Sequence, residues 1–191
     1  MILPSNSGRT VLTSDKSGQH WQKVSLGPFN GSTQGAEDID KDGRDEFVTV
    51  DNRFLYQFAS YAGSAAPAQI WQLTGNQFIN VSYEPKFKFF HRQNLKEMSS
   101  WFTEKRDNNS EVNGFLAAYV ANKALVGELA DGWERMLKYY DKKSDWGLTG
   151  CPQGYDDKGQ CIGKEIHYPS FPQALRAFLI ETGYIPSQDK N

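Results

Sequence analysis

The stretch that decides the fold is Gln77-Phe-Ile-Asn-Val81-Ser-Tyr-Glu-Pro85-Lys-Phe87-Lys-Phe-Phe90-His-Arg-Gln-Asn-Leu95. Up to Val81, apolar and polar residues alternate with the period of two that a half-buried strand needs. Beyond Pro85 the period becomes helical, with Phe87, Phe90, Leu95, Met98 and Trp101 or Phe102 on one stripe. Upstream, short β-type runs alternate with turns: Trp21–Leu26, Glu46–Val50, Phe54–Phe58, Gln69–Leu73 and Gln77–Val81. Asp51-Asn52 and Thr74-Gly75-Asn76 suit tight turns between neighbouring strands, and residues 61–67 suit a longer loop. The stretch Ile-Leu-Pro-Ser-Asn-Ser-Gly-Arg, residues 2–9, reads as polar and structureless. Downstream, three more stripes follow. Val112, Phe115, Leu116, Tyr119 and Val120 mark one, with Ser110 as its N-cap. Leu129, Trp133, Met136, Leu137 and Tyr140 mark the next, close enough behind to form an antiparallel helical hairpin. Phe171, Leu175, Phe178 and Leu179 mark the last, after Ser170 and ending at Gly183. The expected fold is therefore α+β. An antiparallel meander over residues 1–84 packs with about four helices over residues 85–191, as one compact unit.

The chain has 191 residues, with 21 Lys and Arg against 23 Asp and Glu. A net charge of −2 argues against a dedicated nucleic-acid binder, whose footprint is a clustered positive face. No run approaches the roughly 20 apolar residues of a membrane span. An aromatic share of 14% supplies a core without many aliphatic side chains.

The strongest local signal is Asp38-Ile-Asp40-Lys-Asp42-Gly43-Arg44-Asp45-Glu46. Residues 36–46 hold six acids and two bases, a local net of −4, which is costly to gather without a counter-ion. Alternate carboxylates followed by glycine describe a loop around a hard cation, and Ca²⁺ takes six to eight oxygens at flexible geometry. The expected ligands are Asp38, Asp40, Asp42, the carbonyl of Arg44, and Glu46 directly or through water. A helix-loop-helix calcium hand is excluded, because its twelfth position is Thr49 and a strand follows Gly43.

Acidic loop and following strand together resemble the calcium loops of FG-GAP and VCBS-type repeats over residues 36–82. The resemblance implies a propeller-blade-like sheet with calcium on those same five residues. One blade cannot close a propeller, so the expectation is a single blade-like sheet. In that setting the ion would be structural and weakly held, with a Kd on the order of 10⁻⁴ to 10⁻³ M.

The two cysteines, Cys151 and Cys161, flank a segment rich in turn formers, and a disulfide between them is expected. It would place the protein in an oxidising compartment, periplasmic or secreted, with a signal peptide already removed. Two thiols without nearby histidines do not make a zinc site. The pair Asp156-Asp157 lacks alternating ligand spacing and reads as a plain turn.

No catalytic motif is present: no nucleophile elbow, phosphate loop, zinc-protease helix or dinucleotide fingerprint. His20, His91 and His167 are scattered, and His91 falls on a basic, solvated helix face. The function expected first is non-catalytic: a calcium-stabilised exported protein that binds another protein, as an inhibitor or an immunity protein against a secreted toxin would. The alternative is a wall- or glycan-acting hydrolase or its carbohydrate-binding accessory, stacking sugars on Trp71, Trp133 or Trp146. Of these three, only Trp146 has neighbours that suggest exposure.

Overall fold

The computed structural model describes residues 2–5, 8–14, 17–27, 35–106, 111–151 and 153–187. The protein is α+β, with antiparallel strands in its N-terminal half and four helices in its C-terminal half. It divides into two compact units. One holds the residues up to Asn52 together with Ala68–His91. The other holds Arg53–Pro67 together with the residues from Arg92 onward.

In the first unit, β1 (Ile2–Ser5), β2 (Gly8–Ser14) and β3 (Trp21–Ser25) form one antiparallel sheet in the order β1-β2-β3. The opening residues, expected to be structureless, thus supply a strand paired Ile2↔Val11 through Ser5↔Gly8. A second sheet has the order β4-β5-β6-β7, from Ala36–Glu37, Glu46–Val50, Ala68–Thr74 and Gln77–Asn80. The β6–β7 connection is the two-residue loop Gly75-Asn76 between paired Thr74 and Gln77. Gly75 sits at φ +60° in the first central position, which is the hairpin geometry glycine permits.

Strand register assigns the faces of this second sheet. Phe47 pairs with Trp71, and Leu73 with Phe78, so these four share one side, where Val11 and Leu26 pack with them. Glu46 pairs with Gln72 and Val48 with Ile70 on the other side. Ile70 there joins Val81 and Phe87 in a second cluster, with Ile39 and Phe90 against it. A short 3₁₀ turn, Pro85–Phe87, leads into helix α1 (Lys88–Arg106).

The run Phe54–Phe58, expected as a strand, is instead a 3₁₀ turn (Asn52–Phe54) followed by irregular chain. Tyr56 adopts φ +62°, which no strand tolerates. Phe54 and Phe58 are both 1% exposed while Tyr56 is 60% exposed. A flat strand would have put all three on one face, since they lie two residues apart. Asp51-Asn52 is accordingly not a tight turn between strands.

Helices α2 (Val112–Leu125), α3 (Leu129–Tyr139) and α4 (Phe171–Glu181) follow. Ser110, the expected cap of α2, lies outside the described residues, as do the side chains of Trp101 and Phe102. Helix α2 is buried on nearly every side from Asn113 to Asn122. It ends at Gly127, φ +83°, whose amide bonds to Ala124 O at 3.0 Å while Glu128 N bonds to Lys123 O at 2.8 Å. That paired closure reverses the chain into α3 within three residues. The same closure ends α4 at Gly183, with Gly183 N to Ile180 O at 3.1 Å and Tyr184 N to Leu179 O at 2.9 Å. Close approach of α3 to α2 needs a glycine, because a Cβ on Gly132 would lie 2.8 Å from Lys123 Cβ. Leu137, expected on the buried stripe, is instead 47% exposed.

The core of this second unit joins α2 to Met136 of α3 and to Phe171, Leu175 and Phe178 of α4. Phe58 meets Phe171 and Phe178 edge to face, at 5.1 and 5.4 Å between ring centres. Phe58→Ala should therefore destabilise the protein by about 3–5 kcal/mol, the cost of a large buried aromatic. Urea unfolding followed by circular dichroism checks this. A loss within experimental error of zero would mean that residues 53–67 do not belong to the helical core.

Candidate functional site

The acidic loop between β4 and β5 is folded by its own carboxylates. Asp38 accepts the backbone N–H of Asp42 on Oδ1 and that of Gly43 on Oδ2, each at 3.0 Å. Asp40 Oδ1 accepts Asp42 N–H at 3.1 Å, and Asp42 Oδ1 accepts Arg44 N–H at 3.0 Å. Lys41 at φ +62° and Gly43 at φ +87° supply the left-handed turns that aim these side chains inward. One ligand oxygen from each of Asp38, Asp40 and Asp42 lies within 4.8 Å of the others. The structure thus brings together three of the five expected ligands.

Glu46 is placed differently. It is fully buried beneath the loop, its Oε2 accepting Ile39 N–H and its Oε1 accepting Gln72 Nε2–H, both at 3.0 Å. Burial raises its pKa above the ordinary carboxyl value, against those two hydrogen bonds. Its visible role is to staple the start of the loop to β6. Arg44 turns its side chain back onto Asp42, Nη2 to Oδ2 at 2.6 Å. That contact is the main reason the Asp42 carboxyl is lowered to about 2.

Two cations of the chain already serve this cluster. Lys86 forms an ion pair with Asp40 and another with Asp42 Oδ2 at 3.3 Å. Its own pKa is raised, chiefly by Asp40. The three aspartates are hard oxygen donors at a separation suited to Ca²⁺, so the donor set fits the ion. Lys86 and calcium would contend for the same oxygens of Asp40 and Asp42.

The second feature anticipated in the sequence is the disulfide Cys151–Cys161, with its Cα atoms 5.6 Å apart. Within its loop Asp156 Oδ1 accepts Lys158 N–H and Gln160 N–H at 2.9 and 2.8 Å, so this acidic pair does build a plain turn. The loop is flanked by a two-stranded ladder, β8 (Thr149–Gly150) with β9 (Ile166–His167). Beside it lies a cleft of about 330 Å³, whose polar walls include Arg53, Gln57, Tyr155, Tyr168 and Glu181. No local pattern announced this cleft, because its walls come from three separate segments.

His91 corrects the reading of α1 as a solvated basic face at that position. It is 0% exposed, and its Nε2 donates to Ser82 O at 3.0 Å. Its Nδ1 is buried with no hydrogen-bond partner among the described residues. Proton uptake there would leave an unpaired charge inside, so burial lowers its pKa below 6.5.

Comparison with family profiles finds that residues 91–183 match the sll0997 C-terminal domain. Those residues run from His91 on α1 to Gly183 after α4 and include the disulfide loop. The chain is 57% identical over 178 residues to the "Probable thylakoid lumen protein sll0997" of Synechocystis sp.. It is 35% identical over 180 residues to the "Uncharacterized protein y4bJ" of Sinorhizobium fredii. Each alignment covers 93% of this chain, which spans only 52% of the first relative's length and 28% of the second's. No solved structure matches the chain. These findings overturn the FG-GAP and VCBS resemblance, since neither the family profile nor the 57% identical relative indicates such a repeat. Physically, the shared signal was an Asp-rich turn entering a strand, which short-range hydrogen bonding alone can produce.

Among the described residues no helix is long and apolar enough to cross a membrane. The His91 environment has a measurable consequence. An unfolded chain takes up a proton near pH 6.5, whereas the folded one refuses it until a lower pH. Stability is therefore full above about pH 6.5 and declines as pH falls through the window below it. His91→Gln should flatten that part of a stability–pH curve measured by urea unfolding. An unchanged slope would show that His91 does not titrate as its burial demands.

Proposed function

We propose that this chain is part of an exported protein that acts by binding a partner rather than by turnover, steadied by calcium at its acidic loop. The observation that carries the compartment is the Cys151–Cys161 bridge, since such bonds persist where thiols are not kept reduced. The name of the 57% identical relative, a probable thylakoid lumen protein, supports the same reading. Lumen and periplasm are both reached by export, and the reading extends to either.

Binding without turnover is supported by how the ionisable side chains are used. Asp42 is tied to Arg44, Lys86 to Asp40, and His91 is buried and held neutral. Lys123 bridges Glu128 at 2.7 Å and Asp131 at 2.6 Å across the α2–α3 turn. All of these serve the fold. A protein partner remains the first reading, but neither relative's name supports the narrower role of inhibitor or immunity protein.

Calcium would be held by Asp38, Asp40 and Asp42, with the Arg44 carbonyl and Glu46 as the further donors expected from the sequence. It would supply charge neutralisation and a fixed loop. Millimolar calcium should raise the melting temperature relative to EGTA, and Asp40→Ala should abolish the difference. Lys86→Met should enlarge it, by removing the competing cation. Identical melting curves with and without calcium in all three proteins would sink the claim.

Native protein, alkylated at harvest and digested, should yield the Cys151–Cys161 linked peptide from the lumenal or periplasmic fraction. Recovery as free alkylated thiols from the cytoplasm would overturn the compartment. Affinity capture from the exported fraction in calcium then tests whether a partner is retained.

A further inference from the structure

Among the exposed aromatic rings of the second unit, three that the core does not use lie together. Tyr56 is 60% exposed, Tyr61 51% and Trp146 42%. The rings of Tyr56 and Tyr61 lie 5.5 Å apart at an angle of 37°, and the Trp146 indole Nε1–H donates to Tyr56 O at 2.8 Å. The three are therefore one patch, drawn from two segments 90 residues apart.

The chain bears strain to present it. Tyr56 sits at φ +62°, a left-handed conformation that is unfavourable for a bulky aromatic. It is held there by its own N–H donating to Ser64 Oγ at 3.0 Å, while that hydroxyl donates to Ser60 O at 2.8 Å. Ser60 in turn donates its backbone N–H to Glu111 Oε2 at 3.1 Å. From the other side, Gly147 at φ +74° presses so closely that a Cβ there would stand 2.1 Å from Gln57 O. Strain of this kind persists only where the surroundings enforce it, and it gathers at sites that bind. Here the turn sends Phe54 and Phe58 into the core and leaves the Tyr56 ring facing water.

The patch is continuous with the cleft beside the disulfide. Gln57 follows Tyr56, Gly147 follows Trp146, and both line the cleft. A ligand resting on the rings is thus led to the Gln57 amide, the Glu181 carboxylate, the Tyr155 and Tyr168 rings, and the Arg53 guanidinium, itself anchored on Thr182 O at 3.2 Å. A flat aromatic face next to a set of planar polar groups matches one chemistry best. A sugar ring offers weakly positive C–H bonds to the negative face of an aromatic ring, and its hydroxyls both donate and accept. A nucleic acid is disfavoured by Glu181 and by the net charge of −2. A peptide anchored by an apolar side chain would meet Phe178 and Ala174 here, but it would leave the Arg53, Gln57 and Glu181 side chains without the array of hydroxyls a sugar offers.

We infer that Tyr56, Tyr61, Trp146 and the adjoining cleft form a binding site for an uncharged oligosaccharide. One sugar stacks on the rings, and the next enters the cleft to be hydrogen-bonded by Gln57 and Glu181. The inference rests on the reading that the protein acts by binding, and it assigns this site a glycan in place of the protein partner.

The test titrates the full chain, in calcium, with tri-N-acetylchitotriose, cellotriose and maltotriose, using calorimetry and tryptophan fluorescence. At least one trisaccharide should bind saturably at millimolar concentration or below and perturb the emission. Trp146→Ala and Tyr61→Ala should each weaken binding about tenfold, the scale of one lost aromatic contact. Glu181→Gln should weaken it as well, and Phe89→Ala, at an exposed ring elsewhere on α1, should not. Tyr56→Gly separates binding from folding: it should weaken binding without lowering the melting temperature, because glycine accepts the left-handed backbone. Absence of saturable binding by all three sugars, or binding indifferent to Trp146→Ala, would overturn the inference. Capture of a protein that Trp146→Ala releases, without sugar binding, would overturn it too, yet leave the binding reading in place.

Discussion

Helix α2 sets the constraint that the second unit satisfies. From Asn113 to Asn122 its side chains are buried all round, so no face is left for water. Such a helix is stable only when enclosed on every side. Met136 of α3, the Phe171–Phe178 face of α4 and the pair Phe54 and Phe58 all contribute to that enclosure. Its polar residues are largely provided for, Asn122 Oδ1 being buried with no hydrogen-bond partner among the described residues. Asn113 exchanges two hydrogen bonds with the backbone of Asp141, at 2.8 and 3.1 Å, and Asn122 Nδ2 donates to Ala118 O. An unpaired amide there would forfeit much of what the apolar packing contributes.

The first unit works under a different rule. Its second sheet is apolar on one face but carries Glu46 and Gln72 together on the other, beside the base of the acidic loop. A buried carboxyl is acceptable because both of its oxygens accept hydrogen bonds. The loop above gathers its charges in the same manner, through Asx turns and through Lys86 and Arg44. Electrostatic satisfaction, more than hydrophobic burial, shapes that end of the sheet.

Much of this was legible in the sequence. The switch of period at Pro85 located the passage from strands to helices, because binary pattern is a local property that needs no tertiary knowledge. Gly183 as a helix stop and the hairpin of α2 and α3 were legible for the same reason. So was the disulfide, with two cysteines and a flexible segment between them. The failures share a cause as well. Phe54-Leu-Tyr-Gln-Phe58 has the alternation of a strand, yet its two phenylalanines are claimed by the helical core. His91 has basic neighbours in sequence but packs under Ser82. In each case a long-range contact overrode the local pattern.

The sequence by itself determined which segments alternate and which are helical, where turns close, and that three aspartates and a glycine curl into one loop. These depend on residues a few positions apart, whose interactions any conformation of the chain can sample. Only the tertiary structure decided that Lys86 would share the acidic cluster and that Tyr56 would be held left-handed. It alone brought Trp146 to Tyr56 across 90 residues, beside a cleft. Those arrangements depend on where distant segments are fixed by burial of the core, and no spacing along the chain records that.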